Sequence, residues 1–194
     1  MTGPTAAAPA REPPGLPPAA WLGMLFFVGA EAMLFAGLLF VFVVYRLWSP
    51  VWPPFGEPRL PIGVTAVNTA LLVASGVVMR RGIGLARGGA EPGARRALGA
   101  TAALGATFLT VQGSEWARLV HWGLTASAGP YGGIVYALIG AHGLHVLAAV
   151  VWLLVPAPAK RRPLPALARL EACALYWYFV CGLWLVIFPV VYLS

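Results

Sequence analysis

PAAWLGMLFFVGAEAMLFAGLLFVFVVY, residues 18–45, decides the class of this protein. The run is long enough to cross a bilayer's hydrocarbon core, even with tilt. Its only charged residue, Glu31, sits near the middle. A carboxyl group at that depth is expensive to insert, because low dielectric disfavours its charged form. Such a group faces protein, buried water or a partner. It is either a functional group or a packing hydrogen bond within the bundle.

Composition agrees with that reading. Of the 194 residues, 60% are hydrophobic and 10% charged, far outside the range of soluble domains. There is no Asp, and the six acids are all Glu. A net charge of +7 would ordinarily raise nucleic acid as a partner. Here the Arg residues fall in short connections between apolar segments, which is a topology signal instead. The first apolar segment is too long for a signal-peptide core and lacks a cleavage site, so it is expected to be retained.

Working outward from it, the apolar runs predict five spanning helices, at 18–45, 63–79, 97–119, 132–155 and 170–193. The expected fold is thus an all-α membrane protein, a five-transmembrane-helix bundle. Backbone groups in lipid must be satisfied within the segment, and helices do that. Pro and Gly mark the connections, in SPVWPPFGEPRLP, RRGIGLARGGAEPGARR and PAPAKRRPLPALAR. Residues 1–17, rich in Pro and Ala, read as a disordered or extended cytoplasmic tail.

Basic residues orient the bundle. Arg11, Arg80, Arg81, Arg87, Arg95, Arg96, Lys160, Arg161, Arg162 and Arg169 lie on one side, against Arg46, Arg59 and Arg118 on the other. Ten against three predicts an inside N-terminus and an outside C-terminus. Trp48, Trp52, Trp116, Trp122 and Tyr131 then gather at the outer ends, as an aromatic belt would.

The polar residues within the spans carry the remaining signal. Asn68 and Ser75 share a face with Leu72 and Met79 and are expected to bond to neighbouring helices. Gly99, Ala102, Ala103, Gly105 and Ala106 in the third segment allow close helix approach. That segment ends in Gln112 and Glu115 near the outer surface. His142 and His145, three apart on the fourth segment, sit near mid-membrane. At 1.5 Å per residue their depth agrees with that of Glu31 to within about a turn. A buried polar cluster of Glu31, His142 and His145 is therefore geometrically possible. Metal or haem ligation, a proton relay and a structural cluster all remain open for it. Ligation is the poorest fit, because the only other histidine, His121, lies in the outer loop. Cys173 and Cys181 lie eight apart on one helix, about 12 Å in rise, too far for a disulfide. No metal site is expected from them.

Several stretches, taken in order, resemble subunit III of the haem-copper oxidases. They are GMLFFVGAEAMLFAGLLF (23–40), VWPPFGEPRLP (51–61), NTALLVASGV (68–77), LGATFLTVQGSEW (104–116), YGGIVYALIGAHGLHV (131–146) and EACALYWYFVCGLWLVIFPVVYL (171–193). Together they cover nearly all of 18–194, which looks like the family's short, five-helix form. The resemblance implies an accessory subunit of a bacterial haem-copper terminal oxidase in aerobic respiration. It would contact subunit I directly, with subunit II, other respiratory-complex subunits and membrane lipids as further partners, in the bacterial inner membrane. It implies no haem or copper in this chain, those centres belonging to partner subunits, and a supporting role in stability, lipid binding and proton uptake. Glu31 matches the family's buried, carbodiimide-reactive acid. Glu171 joins Asn68, Gln112 and Glu115 as secondary polar positions.

The chain also departs from the pattern. Many relatives read YWHFVDVVW where this chain reads YWYFVCGLW, so Tyr178 and Cys181 replace a His and an Asp. Ala20 and Trp21 stand where many relatives carry a basic, lipid-holding residue. A paralogue serving a quinol oxidase or nitric oxide reductase assembly is an alternative reading. An independent proton-coupled transporter is a second, although no internal repeat supports it.

Overall fold

A computed structural model describes residues 19–54, 60–127, 129–154 and 164–193. The tail at 1–17, and with it Arg11, lies outside the described residues, as do Arg59, Lys160, Arg161 and Arg162. Five helices follow one another: α1 (Ala19–Trp48), α2 (Ile62–Arg87), α3 (Glu91–His121), α4 (Pro130–Leu154) and α5 (Leu167–Tyr192). Four of them, α1, α2, α4 and α5, are long and apolar enough to cross a membrane. α3 is 31 residues long but does not reach that apolarity.

The stretch 80–96, expected as a loop, is mostly helical. α2 runs on to Arg87 and α3 begins at Glu91, so only Gly88, Gly89 and Ala90 turn the chain. Arg, Leu and Ala are good helix formers, and the Arg heads reach water from a helix as readily as from a loop. Gly89 takes the left-handed backbone that the tight turn needs, at φ 73°. Ala90 N–H then donates to Leu85 O at 2.9 Å, and Pro92 sits in the first turn of α3, where its missing N–H costs nothing. The hairpin holds α2 against α3 closely. A Cβ on Gly82 would lie 3.1 Å from the Ala97 Cβ.

α5 is the centre of the bundle, with α1, α2 and α4 close beside it, while α3 packs on α2 and α4 and reaches α5 through side chains. Trp177 and Trp184 of α5 are fully buried. Gly105 of α3 is the close-approach point there, since a Cβ on it would run into the Trp177 ring and Val150. Ala102 also faces inward, whereas Ala103 and Ala106 face out.

α1 stands at the edge. Of the other helices, α4 and α5 are the ones whose backbones it packs against. Its protein-facing stripe is Trp21, Met24, Val28, Glu31, Phe35, Leu38, Phe42 and Tyr45, alternating steps of three and four. Phe26, Met33 and Phe40, on the other side, are about 70% exposed or more, in a helix with no polar outer face.

The aromatic belt is only partly one. Trp48 and Trp122 are exposed at 84% and 62%. Trp52 instead folds inward, with its ring centroid 5.5 Å from Phe42, 5.1 Å from Tyr131 and 5.1 Å below the Arg46 guanidinium. Tyr131 is buried. The indole face beneath the guanidinium offsets the charge of Arg46, so Trp52 serves the protein rather than the lipid boundary.

Candidate functional site: an acid–imidazole pair between three helices

Glu31 reaches across from α1 to α4. Its Oε2 lies 2.9 Å from His145 Nε2, and both side chains are largely enclosed. Heptad spacing puts Glu31 one turn before Phe35, whose ring meets the His145 ring edge-on at 5.1 Å. Tyr176 of α5 closes the third side, its ring centroid 6.5 Å from that of His145. Three helices thus meet around one acid and one imidazole.

The imidazole's tautomer follows from its other nitrogen. Nδ1 lies 2.7 Å from Ala141 O one turn back, and a carbonyl can only accept, so Nδ1 carries hydrogen. Nε2 and Oε2 then share a single proton. Either a neutral Glu31 donates to a neutral His145, or the imidazolium donates to the carboxylate. The two forms have the same composition and the same net charge of zero. A pair of this kind holds one exchangeable proton at membrane depth without a net buried charge.

His142 is not part of that pair. It is 1% exposed and packs toward α3 and α5 instead of α1. Its ring stacks on Trp184 at 4.9 Å and meets Phe108 edge-on at 6.2 Å. Neither ring nitrogen has a hydrogen-bond partner among the described residues. The three-residue cluster expected from depth therefore divides into a Glu31–His145 pair and a separate, aromatic-boxed His142. Residues three apart on a helix share a face only approximately, and a stripe as narrow as α1's meets one of them.

The secondary polar positions serve packing. Asn68 Nδ2 donates to Phe108 O at 3.0 Å, tying α2 to α3, and Gln112 Nε2 donates to the Tyr192 hydroxyl at 2.9 Å, tying α3 to α5. Glu115 is 2.8 Å from Arg118 on its own helix, and Glu171 is 2.8 Å from Arg87 across the α5–α2 gap. Ser75 bonds to a neighbouring helix as expected, whereas the link at Thr69 was not singled out from sequence. Trp184 Nε1 donates to Thr69 Oγ1 at 2.8 Å, and Trp177 Nε1 donates to Ser75 Oγ at 3.1 Å. The available signal was the indoles themselves, since a buried Trp N–H needs an acceptor. Cys173 and Cys181 are both buried and free. Among the described residues no three His, Cys, Asp or Glu side chains come together as a metal site would require.

Residues 18–194 match the family described as cytochrome c oxidase subunit III. The chain belongs to the cytochrome c oxidase subunit III family. It is 35% identical over 183 residues to a cytochrome c oxidase subunit 3 of Synechocystis sp., covering 92% of this chain and 77% of that one. It is 36% identical over 177 residues to a probable cytochrome c oxidase subunit 3 of Nocardia farcinica, covering 88% and 86%. To the subunit 3 of Bacillus subtilis it is 31% identical over 177 residues, covering 89% and 85%. As a subunit III, the chain is a multi-pass membrane component of an oxidoreductase complex and associates with other oxidase subunits. The Glu31–His145 pair and the Trp–hydroxyl links all lie within the matched span.

Proposed function

We propose that this subunit III is an accessory, non-catalytic subunit that packs against the haem- and copper-bearing subunit I of a bacterial terminal oxidase. All five helices span the inner membrane, the N-terminus inside and the C-terminus outside. The orientation rests on the asymmetry of Arg and Lys, to which α3 contributes Arg95 and Arg96 at one end and Arg118 at the other. The chain holds no redox centre of its own. It supports the stability of the complex, lipid binding and proton uptake by the catalytic subunit.

The observation that carries this reading is the Glu31–His145 pair inside a subunit III fold. A carboxyl and an imidazole sharing one proton at 2.9 Å form an exchangeable proton site, with no metal ligand set around it among the described residues. Such a site suits proton handling beside a catalytic subunit better than electron transfer.

The deciding experiment is purification of the tagged chain from its native membranes. The expected preparation contains further oxidase subunits and shows a haem spectrum, and the chain separated from it contains neither haem nor copper in stoichiometric amount. A haem band retained by the separated chain would overturn the non-catalytic reading. Failure of any haem-bearing subunit to co-purify would overturn the accessory one.

A further inference from the structure

Arg46 carries a charge that no carboxylate among the described residues answers. Of the described arginines, only Arg46 and Arg95 are half-buried, and the others are exposed. Arg95 has Glu91 on its own helix. The remaining described carboxyl groups are also taken, Glu31 by His145, Glu115 by Arg118 and Glu171 by Arg87. Arg46 has the Trp52 ring, whose centroid is 5.1 Å from its guanidinium carbon. That contact meets the face of the guanidinium and offsets part of the charge. It does not meet the five N–H groups, which lie in the guanidinium plane and point out along its edge. The buried Nε has no acceptor among the described residues.

Arg46 lines a pocket of about 250 Å³ at one end of the bundle. α1 and α5 finish there and α2 and α4 begin, so Trp52, Ile62, Tyr131, Val191 and Leu193 share its wall. Ile62 is the first residue of α2, and Pro61 before it brings no side-chain cap. The first N–H groups of that helix therefore have no capping side chain, and the positive end of its dipole lies at the same pocket as Arg46. Arg46 stands two residues before the end of α1, about 3 Å along the axis. Leu47 and Trp48 beside it are exposed at 74% and 84%. An exposed Trp at the end of a span marks the head-group level of a bilayer. The carbonyl end of α1 favours a cation in that turn, but gives no reason for the uncapped start of α2 to share the pocket.

We infer that this pocket binds a phosphate group, held by the terminal nitrogens of Arg46 and by the first N–H groups of α2. The two terminal nitrogens match two oxygens of a phosphate, and its other oxygens accept from the helix start. One tetrahedral oxyanion thus answers both positive features of the pocket at once. At head-group level the phosphate belongs to an anionic phospholipid or is inorganic phosphate from solution, and the recognition chemistry is the same for both. The inference rests on the membrane placement in the reading above and adds to it a site and the group it holds.

Arginine-selective modification by phenylglyoxal, read residue by residue from peptide masses, tests this on the unaltered protein. The full chain is purified from its native membranes with whatever subunits accompany it, then stripped until no lipid phosphorus remains. Arg46 should now react. Phosphatidylglycerol or inorganic phosphate should slow that reaction about tenfold or more, the scale of a charge-assisted hydrogen bond. Uncharged diacylglycerol should not slow it, and Arg81, exposed toward the other end of α2, should react equally with and without phosphate. Protection by phosphatidylglycerol at concentrations where inorganic phosphate gives none assigns the phosphate to a lipid. Equal protection by both assigns it to solution. Failure of both to protect would overturn the inference. So would equal protection by diacylglycerol, because apolar cover would then suffice. An Arg46 that stays unreactive in the stripped protein would overturn it too, because a protein group would already answer the charge. Glu57, outside the described residues, is the carboxylate of the neighbouring connection, and reactivity regained in Glu57→Gln would identify it as that group. Whether a haem-bearing subunit accompanies the chain decides the accessory reading separately and does not enter this result.

Discussion

His145 and His142 stand three residues apart on α4, and their surroundings are opposite. His145 turns to the edge helix α1 and finds a full set of partners, Ala141 O on one nitrogen and Glu31 on the other. His142 turns to the bundle interior, where it is a flat aromatic plate against Trp184 and, among the described residues, no partner meets either nitrogen. The same side chain thus acts as a proton-bearing group in one place and as packing in the other. What separates them is the neighbour that helix geometry brings to each face. An acid on the α1 stripe makes one histidine chemical, and a tryptophan on α5 makes the other structural.

The largest effect that tests this contrast is at Glu31. Glu31→Ala leaves His145 Nε2 without its partner and should destabilise the complex by about 1–3 kcal/mol, read as accelerated thermal loss of the assembled oxidase. Glu31→Gln keeps a hydrogen-bonding group at the same reach and should assemble nearly normally. Its cost should appear as faster loss of activity during sustained turnover, with the first turnovers intact. Immediate loss of electron transfer in a fully assembled Glu31→Gln complex would place Glu31 in the chemistry itself.

Next comes the indole beside His142. Thr69→Val keeps the side-chain volume and removes the acceptor of Trp184 Nε1. Interhelical hydrogen bonds in membranes are worth about 0.6 kcal/mol on average and up to about 1.7, so a loss in that range is expected in a thermal-unfolding series. No loss would mean that the stack on His142, not the hydrogen bond, holds Trp184.

A smaller effect is expected at the rim. Arg87 is 62% exposed in its ion pair with Glu171, so Arg87→Ala should cost less than about 1 kcal/mol, and the difference should fade as salt is raised. A salt-independent loss would show that the pair is shielded by a partner in the assembly.

The smallest change is expected at His142 itself. His142→Phe preserves an aromatic plate on Trp184 and removes two unpartnered nitrogens, so stability should shift by less than about 1 kcal/mol or rise. His145→Phe, made in parallel, should reproduce the Glu31→Ala defect. Equal effects of the two histidine variants would erase the contrast.

Parts of this arrangement were legible in the residues. Long apolar runs placed five helices to within a few residues at most ends, and the depth of Glu31 pointed to a histidine on α4. The facing ends of α2 and α3 were not legible as helix. A span is recognised by apolarity, and these helices continue past it as Arg-bearing turns at 80–87 and 91–96. Gln112 was expected near the outer surface, and its role in tying α3 to Tyr192 was not anticipated.

Sequence alone determined position along each helix axis, because rise per residue is nearly constant and hydropathy marks where a span begins and ends. It therefore set Glu31 and the two histidines at one depth. Rotation of each helix about its axis is another matter, since it depends on which neighbours pack against which face. Only the tertiary structure decided that Glu31 meets His145 rather than His142, and that Thr69 and Ser75 receive the indoles of α5. It also decided that the small residues of α3 divide between an inner contact at Gly105 and an outer face at Gly113.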